Sequence, residues 1–417
     1  MNFTTNANLA QLTDRTLAIG IDVSKEVHVA RAFDFRGFEL GRAIHFKSSL
    51  AGFRGFLEWA NALSQSHSKK DLLIGMEPTG VYGNPLAQFL TSSGICTVWV
   101  LGLQVHRFKE MEDNSPSKND SKDARVIAQV MLNGYFRKMR VFSQEMAELK
   151  QCTSTTHQLM KKITRAKNQI SAWYTQYFPE FAEVFKDPSK KTAYATMRRF
   201  PTQAMIAALS EEEIVNAWRI EGVNGGIGRK KAHELKQAAA TSIGVKATPA
   251  SAMQIRFLVD ELMALQRQER EAWSLIEALV TGDPDYQALM KIPEMSFKNA
   301  AYLLSEVGGF RDFSHPRQII RLAGFNLTAS SSGSKDGQSR ISKRGRPGLR
   351  RVLYLIMTKM LTDRRSPWAL LHTRLKSRAG NPLKPMQSVI ALSCKFIRVV
   401  WSMIVYGTEY DPGLIAR

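Results

Sequence analysis

The sequence predicts an α/β fold in its first third and a mostly helical remainder. Three observations support this division. Short apolar runs that end in acidic residues alternate with amphipathic helical patterns up to about residue 140. Two later stretches then carry apolar side chains at regular 3,4 spacing, which is typical of long paired helices. From residue 284 onward the pattern is helical except for one loop rich in Gly and Ser.

The first region contains short apolar segments bounded by turn residues. The predicted strands are Thr16–Asp22, Val27–Asp34, Leu40–Phe46, Leu72–Glu77 and Cys96–Leu101. Helices are predicted at Leu50–Ser64 and Val81–Thr91. A hairpin, followed by strands that alternate with helices and end in acids, is typical of a ribonuclease-H-like (RuvC-like) domain. We assign this domain to residues 1–140.

The middle region, residues 141–283, is predicted to be a helical insert built on a coiled coil. Apolar seams with 3,4 spacing run over residues 149–177 and 255–279. Thr156 and Glu269 interrupt these seams, and we expect them to fix the register of pairing. The two helices can pair within one chain or between chains. Packing against a local helical core is the alternative explanation of the same periodicity.

The charge balance predicts a polyanionic partner. The chain has 417 residues, 58 Lys and Arg against 37 Asp and Glu, and a net charge of +21. Such an excess favours nucleic acid, because bound cations release counterions from phosphates. The three cysteines are far apart in the sequence and form no CxxC pair, so neither a disulfide framework nor a zinc site is indicated. No signal peptide is recognised, so we expect a cytoplasmic, nucleoid-associated protein. The apolar stretch Ser388–Tyr406 is interrupted by Lys395 and Arg398, and a buried helix is expected there.

Four acidic residues form the first candidate site. Asp22 and Glu77 end two apolar strands, and Asp120 and Asp123 lie three residues apart at the start of a helix. Carboxylates that converge in this way repel each other unless a divalent cation neutralises them. The expected cofactor is therefore Mg²⁺ or Mn²⁺, and a polynucleotide phosphate is the usual substrate of such a site. For each acid taken alone, capping a helix or ending a turn is the alternative.

The second candidate site combines a serine-rich loop with a basic run. Ser330, Ser331 and Ser332 precede Gly333, whose lack of a side chain allows a close backbone approach. A serine that attacks a phosphodiester needs activation and nearby cations. The candidate nucleic-acid-binding residues are Lys335, Arg340, Lys343, Arg344, Arg346, Arg350 and Arg351. A flexible loop beside a docking surface without chemistry is the alternative.

Taken together, these motifs resemble the DEDD transposases of bacterial insertion sequences, the family guided by a bridge RNA. The resemblance covers nearly the whole chain. It rests on the segments IGIDVSK (19–25), MEPTGVY (76–82), KNDSKDA (118–124), LLSEVG (303–308), SSG (331–333) and ISKRG (341–345). Their order and spacing are specific, although no single segment decides the matter. The chain departs from the family at 292–296, where members often have glycines in a helix-hairpin-helix-like turn.

The resemblance implies a third, C-terminal transposase domain at 284–417 with a catalytic serine. Carried over by motif, Asp22, Glu77, Asp120 and Asp123 are the metal-binding acids. Ser332 is the expected nucleophile and Ser331 the second choice. The implied partners are donor and target DNA, a non-coding guide RNA and further copies of the chain, as a dimer formed by the coiled coil and a tetramer in the active complex. The implied chemistry joins DNA strands through a covalent phosphoserine, with the acids of one subunit meeting the serine of another.

Two other functions fit parts of the sequence. A metal-dependent, junction-resolving endonuclease would use the acids and water without serine chemistry. A sugar-kinase-like phosphotransferase is suggested by the segment GIDVS at 20–24. The large positive charge and the absence of a second glycine-rich loop argue against the kinase.

Overall fold

The computed structural model describes residues 3–78, 80–112, 120–140, 142–187, 190–225, 227–328 and 340–416. Its contacts form two compact units, Met1–Val141 and Phe142–Arg417. The first unit is mixed α/β and the second is mostly helical, which confirms the predicted fold class at this level. The division of the chain into three domains stays a prediction.

A six-stranded mixed sheet forms the centre of the first unit. The elements of this unit are α1 (Phe3–Leu9), β1 (Thr16–Asp22), β2 (Val27–Phe33), β3 (Ile44–Lys47), α2 (Leu50–Ser66), β4 (Asp71–Met76), α3 (Asn84–Ser92), β5 (Cys96–Trp99), α4 (Gly102–Glu112), α5 (Asp120–Leu132) and β6 (Arg137–Lys138). The strand order is β3-β2-β1-β4-β5-β6. Strands β1, β4 and β5 are parallel, whereas β2, β3 and β6 run antiparallel to their neighbours. This arrangement is consistent with the ribonuclease-H-like fold.

Strand β1 is covered on both faces. Leu17, Ile19 and Ile21 pack in the core that α2 and α3 share with the sheet. Ala18 belongs to the opposite core, with residues of α4 and α5. Successive strand residues point to opposite faces, so a strand covered on both sides needs a continuous apolar run. The sequence of β1 meets this requirement up to Asp22.

Several boundaries differ from the predicted ones. Strand β3 begins at Ile44 rather than Leu40, because the chain turns through Gly41, whose φ is 76°. Helix α3 begins at Asn84 rather than Val81, since residues 80–83 form a turn after Gly80. Strand β4 runs from Asp71 to Met76, one residue earlier at each end than the predicted Leu72–Glu77. Helix α4 and the short edge strand β6 were not predicted.

The second unit contains two apolar cores. Its elements are α6 (Gln144–Tyr177), α7 (Phe181–Val184), α8 (Lys191–Arg199), α9 (Gln203–Ala208), α10 (Glu211–Ile220), α11 (Arg229–Ala240), α12 (Pro249–Val280), α13 (Pro284–Met290), α14 (Phe297–Val307), the 3₁₀ turn η1 (Phe310–Asp312), α15 (Pro316–Ala323), β7 (Leu327–Thr328), β8 (Arg340–Ile341), α16 (Pro347–Met360), α17 (Pro367–Ser377), α18 (Pro385–Tyr406) and α19 (Gly413–Ala416). One core lies among α6–α12 and the other among α13–α19. Leu149 of α6 and Ile276 of α12 belong to the second core, so both long helices extend into it.

Helices α6 and α12 pair within the chain along the two predicted seams. Trp173 Nε1 donates a hydrogen bond to the carbonyl of Ser251 at 3.0 Å, which joins the end of α6 to the start of α12. The seam of α6 is buried from Leu149 to Trp173 except at Cys152, where the neighbouring Thr153 is buried instead. On α12, the buried residues Val259, Trp273 and Val280 each lie one position beyond the 3,4 series that starts at Ile255. A helix packed in a globular core buries a wider stripe of side chains than a coiled-coil seam does, so residues next to the seam positions are also buried.

The two polar interruptions of the seams contact helix α14. The Thr156 hydroxyl is 2.8 Å from the Tyr302 hydroxyl. Glu269 lies 3.6 Å from the ammonium of Lys298 and accepts a hydrogen bond from Trp273. These contacts tie the long helices to the following helical region, and the expected role of Thr156 and Glu269 in the register of the helix pair stays a prediction.

Two features of the C-terminal region bear on the sequence analysis. Helix α18 is long and apolar enough to cross a membrane by length and composition, but 56% of its most apolar window is buried, and Leu392, Phe396 and Val400 lie in the core. At the departure from the family pattern, Glu294 has a φ of 62°. This is the left-handed conformation that glycine adopts most easily, so the turn keeps a glycine-like backbone without the glycine.

Candidate active site

The acidic site begins at the carboxyl ends of two parallel strands. Strands β1 and β4 pair with Gly20 opposite Gly75 and Ile21 opposite Met76. Asp22 ends β1, and Glu77 follows the last residue of β4. Because the register is parallel and unshifted, these two acids come next to each other at one edge of the sheet. Both are half-buried.

Helix α5 brings a third acid to the same region. A Cβ atom on Gly20 would lie 2.2 Å from the carbonyl oxygen of Ala124 and 2.6 Å from the amide nitrogen of Ala128. The backbone of α5 therefore lies directly on β1, an approach that only glycine allows at this position. Asp123, one residue before Ala124, is thereby held in the first turn of the helix over the end of the strand.

Helix α4 contributes a contact that the sequence analysis did not identify. A Cβ atom on Gly102 would lie 2.1 Å from Glu77 Oε1, so the Glu77 carboxylate packs against the first residue of α4. The positive end of a helix dipole favours a carboxylate there. Two turns later, Lys109 Nζ lies 2.5 Å from Asp123 Oδ1. No sequence motif distinguishes Lys109 from the other lysines of this basic chain.

The charges of these residues act on Glu77. Its pKa is raised above the usual value, first by burial and further by the negative charge of Asp123, while the Lys109 ammonium lowers it. Glu77, Asp123 and Lys109 thus form one electrostatic cluster. Asp120 begins α5, but its side chain lies outside the described residues. Among the side chains that the structure describes, no group of three or more His, Cys, Asp or Glu could hold a metal ion.

The serine-rich loop lies outside the described residues, as do Ser330, Ser331, Ser332, Gly333 and Lys335. The structure describes the strands on either side of it. Strands β7 and β8 pair with Leu327 opposite Ile341 and Thr328 opposite Arg340. Residues 328 and 340 are therefore side by side. The strand pair is continued by a hydrogen bond from the Ser342 amide to the Asn326 carbonyl at 2.8 Å.

The structure divides the predicted nucleic-acid-binding residues into two groups. Arg340, Lys343 and Arg344 are exposed. The other three contact the protein itself: Arg346 donates to the Glu306 carbonyl, Arg350 donates to the Ala323 carbonyl at 3.0 Å, and Arg351 Nη1 lies 2.6 Å from His157 Nδ1. Guanidinium groups that bond to acceptors within the protein stabilise the local fold. The exposed side chains of Arg340, Lys343 and Arg344 are available to an external phosphate.

Two transposase family models match this chain. The DEDD transposase family model of IS110 elements matches residues 19–179, and the model described as "Transposase IS116/IS110/IS902 family" matches residues 286–373. Together the two matches cover more than half of the chain. The first contains the acidic cluster and the second contains the serine-rich loop and the basic run.

Curated relatives match along most of the chain. The "Insertion element IS110 uncharacterized 43.6 kDa protein" of Streptomyces coelicolor is 23% identical over 83% of this chain and 84% of its own length. The "Transposase for insertion sequence element IS1111A" of Coxiella burnetii is 22% identical over 95% of this chain and 91% of its own length. A "Probable family 20 transposase" of Pseudomonas aeruginosa is 29% identical over 38% of this chain and 47% of its own length.

These matches define the class of protein as a transposase, an enzyme that cleaves and rejoins DNA. More particularly, the chain belongs to the IS110 family of transposases. DNA transposition is the activity of this family, and the kinase alternative has no support in the matches. The resemblance stated from the sequence is confirmed as far as the IS110 family.

Proposed function

We propose that this transposase cleaves and rejoins DNA at specific sites by serine chemistry assisted by a divalent metal ion. Asp22, Glu77, Asp120 and Asp123 would hold Mg²⁺ or Mn²⁺, and Ser332 would be the nucleophile. The observation that supports the proposal most is the cluster of Glu77, Asp123 and Lys109 beside the edge where β1 and β4 end.

The described acids do not by themselves form a three-ligand group, but the chemistry of Asp22, Glu77 and Asp123, with Asp120 as a fourth acid, suits a divalent cation. Carboxylate oxygens are the ligands that Mg²⁺ and Mn²⁺ prefer. The ammonium of Lys109 lies against Asp123 and stabilises the charged form of Glu77, so the cluster accepts a positive charge at this place. When bound, the metal ion would polarise the scissile phosphate or activate the attacking hydroxyl.

The serine step forms one bond as another breaks. Ser332 Oγ would lose its proton and attack the phosphorus, the bond from phosphorus to a deoxyribose oxygen would break, and that oxygen would take up one proton in exchange for the one that the serine released. A free deoxyribose hydroxyl of a second strand end would then attack the phosphoserine, which joins the strands and restores the serine hydroxyl. Arg340, Lys343 and Arg344 are exposed beside the loop, where they would neutralise phosphates during both steps.

The proposal includes a guide RNA and a homo-oligomer, both on the strength of the resemblance. The seams of α6 and α12 are used within the chain, so an oligomer would need other faces of these helices. Helix α12 has such a face, because Met253 and Phe257, one turn apart, are exposed at 51% and 64%. Exposed apolar side chains at this spacing suit a helix-to-helix contact. A monomer by light scattering, with and without nucleic acid, would contradict this part of the proposal.

A covalent-adduct assay tests the chemistry. The purified protein, the RNA flanking its element, Mg²⁺ and end-labelled DNA with the joined element ends are mixed, denatured and separated on a gel. We expect a shifted, protease-sensitive band that disappears with a chelator, in Asp123→Asn and in Ser332→Ala, and that persists in Ser331→Ala. Cleaved DNA without an adduct would support the endonuclease instead. An adduct lost only in Ser331→Ala would move the nucleophile by one residue.

A further inference from the structure

An exposed turn with two aromatic rings follows strand β2 in the first unit. Residues 34–38, with the sequence DFRGF, form this aromatic tip. Phe35 is 38% exposed and Phe38 is 64% exposed. Phenylalanine is among the residue types that are most often fully buried in folded proteins. Two exposed rings on one short turn are therefore suited to a partner that covers them.

A buried carboxylate holds the aromatic tip in one conformation. Asp34 is 2% exposed, and its Oδ1 accepts hydrogen bonds from the amides of Arg36 and Phe38, both at 2.9 Å. Its Oδ2 lies 2.8 Å from Arg36 Nη2. The Asp34 amide closes the turn by donating to the Phe38 carbonyl at 2.9 Å. The turn is thus built around Asp34, and the rings are exposed by a defined backbone conformation.

The charge of Asp34 and the backbone of Gly37 support the same conformation. Burial acts to raise the pKa of Asp34, but the hydrogen bonds from Phe38 and Arg36 outweigh it and hold this pKa below its usual value. The carboxylate therefore stays charged at neutral pH. Gly37 has a φ of 91°, a left-handed conformation that side chains rarely adopt.

Cations lie against both rings of the aromatic tip. The guanidinium carbon of Arg36 is 5.0 Å from the centre of the Phe38 ring and 5.7 Å from that of Phe35. Lys69 Nζ is 5.9 Å from the centre of the Phe35 ring, and it keeps its positive charge because it donates to the neutral carbonyl of Asp14. Arg36 covers one face of Phe38, and at 64% exposure the other face stays open. Proteins that bind single strands combine such open rings, on which bases stack, with cations that follow the backbone.

The aromatic tip is separate from the acidic cluster. Strands β1 and β2 are antiparallel, with Ala18 opposite Phe33 and Asp22 opposite Val29. The tip directly follows Phe33, so it and Asp22 lie at opposite ends of this strand pair, at least about 13 Å apart along β1. A strand can therefore contact the tip without occupying the acids.

We propose that the aromatic tip binds an unpaired stretch of single-stranded DNA, with one base stacked on Phe38 and a backbone phosphate beside Lys69. DNA is the strand because the chain belongs to a family of DNA transposases. A single strand is favoured over a duplex, in which each base is already stacked between its neighbours. A second copy of the chain is disfavoured, because it brings the same net charge of +21 to a surface that carries cations. The proposal rests on the DNA partner of the proposed function but is independent of the serine and the metal.

Fluorescence anisotropy with the full-length protein tests this site. Four labelled probes of one length are compared: single-stranded DNA, the same strand with abasic sugars throughout, duplex DNA and single-stranded RNA. We expect Phe38→Ala to lower the affinity for single-stranded DNA about fivefold or more, and that for the abasic strand and the duplex less than twofold. Phe38→Trp keeps a ring for stacking and should bind like the wild type. Leu50→Ala is the control, because Leu50 is 55% exposed at the start of α2 and should change no affinity.

Two further measurements separate stacking from folding. Phe38→Ala should melt at the wild-type temperature, since the ring is exposed. Asp34→Ala should show the same selective loss of affinity together with a lower melting temperature, because it removes the hydrogen bonds that hold the turn.

Three outcomes would overturn the proposal and leave the proposed function intact. One is unchanged affinity of Phe38→Ala for single-stranded DNA; if its mass by light scattering changed at the same time, the tip would be a contact between copies of the chain. Another is an equal loss on the abasic strand, which would mean that no base stacks on Phe38. The third is a loss confined to the RNA probe. A wild-type protein that binds none of the probes would contradict the proposed function itself.

Discussion

Gly20 of β1 and Ala124 of α5 are in direct backbone contact: a Cβ atom on Gly20 would lie 2.2 Å from the Ala124 carbonyl oxygen. This contact links two parts of the acidic cluster. Gly20 is two residues before Asp22, and Ala124 directly follows Asp123. The distance between strand and helix therefore determines how the acids of the two elements meet.

Replacing Gly20 by alanine should push α5 away from the sheet. We expect Gly20→Ala to lower the free energy of unfolding by about 1–3 kcal/mol, because the new methyl group meets backbone atoms that cannot rotate away. It should also weaken Mn²⁺ binding, measured by calorimetry. Gly55→Ala is the control: it lies within α2 with open space around its Cα, so alanine should stabilise the protein by up to about 1 kcal/mol. A Gly20→Ala protein as stable as the wild type would refute the close contact.

Lys109 should compete with the metal ion for Asp123. We expect Lys109→Gln to bind Mn²⁺ about threefold to tenfold more tightly, since no ammonium then has to leave the carboxylate. In the presence of a chelator the same variant should melt at a lower temperature than the wild type, because Glu77 and Asp123 repel each other without Lys109. The control is Arg107→Gln, an exposed residue on the same helix. Equal Mn²⁺ affinity in Lys109→Gln and Arg107→Gln would show that Lys109 does not occupy the place of the cation.

The hydrogen bond between Thr156 and Tyr302 should couple α6 to α14. Tyr302→Phe and Thr156→Val should each reduce the free energy of unfolding by about 1 kcal/mol, as each leaves a hydroxyl or its partner unpaired. In a double-mutant cycle the two losses should not add, with a coupling energy of at least about 0.5 kcal/mol. Urea unfolding of the four proteins provides the values. Additive losses would mean that the two hydroxyls do not interact.

The two groups of basic residues should respond differently to substitution. Arg344→Gln should weaken DNA binding and reduce its salt dependence by about one ion, with the melting temperature unchanged, because Arg344 is exposed. Arg350→Gln should lower the melting temperature, since its guanidinium holds the Ala323 carbonyl. Anisotropy at several salt concentrations and thermal unfolding measure both effects. If Arg350→Gln weakened DNA binding at an unchanged melting temperature and Arg344→Gln lowered the melting temperature instead, the two assigned roles would be wrong.

The sequence singled out Asp22 and Glu77 as candidates because each comes at the end of an apolar run, and their role in a site stays a prediction. The structure places Asp22 at the end of β1 and Glu77 directly after β4, and it adds surroundings that the sequence did not show. Lys109 carried no signal, since it reaches Asp123 only when α4 and α5 pack together. Similarly, the basic run looked uniform in sequence. Its division into exposed Arg344 and internally bonded Arg350 depends on where the carbonyls of neighbouring elements lie.

The sequence by itself determined the elements whose signal is local or periodic. The run Thr16–Asp22, the helix that begins at Leu50 and the seam of α6 follow from side-chain spacing, because burial imposes a period of about 2 on strands and about 3.6 on helices. Tertiary structure alone decided contacts between residues distant in the chain. It turned Thr156 toward Tyr302, placed Lys109 on Asp123 and left the Tyr194 hydroxyl buried without a hydrogen-bond partner among the described residues. The reason is physical: such contacts depend on how whole helices and strands pack. The spacing of side chains within one element does not show which other element packs against it.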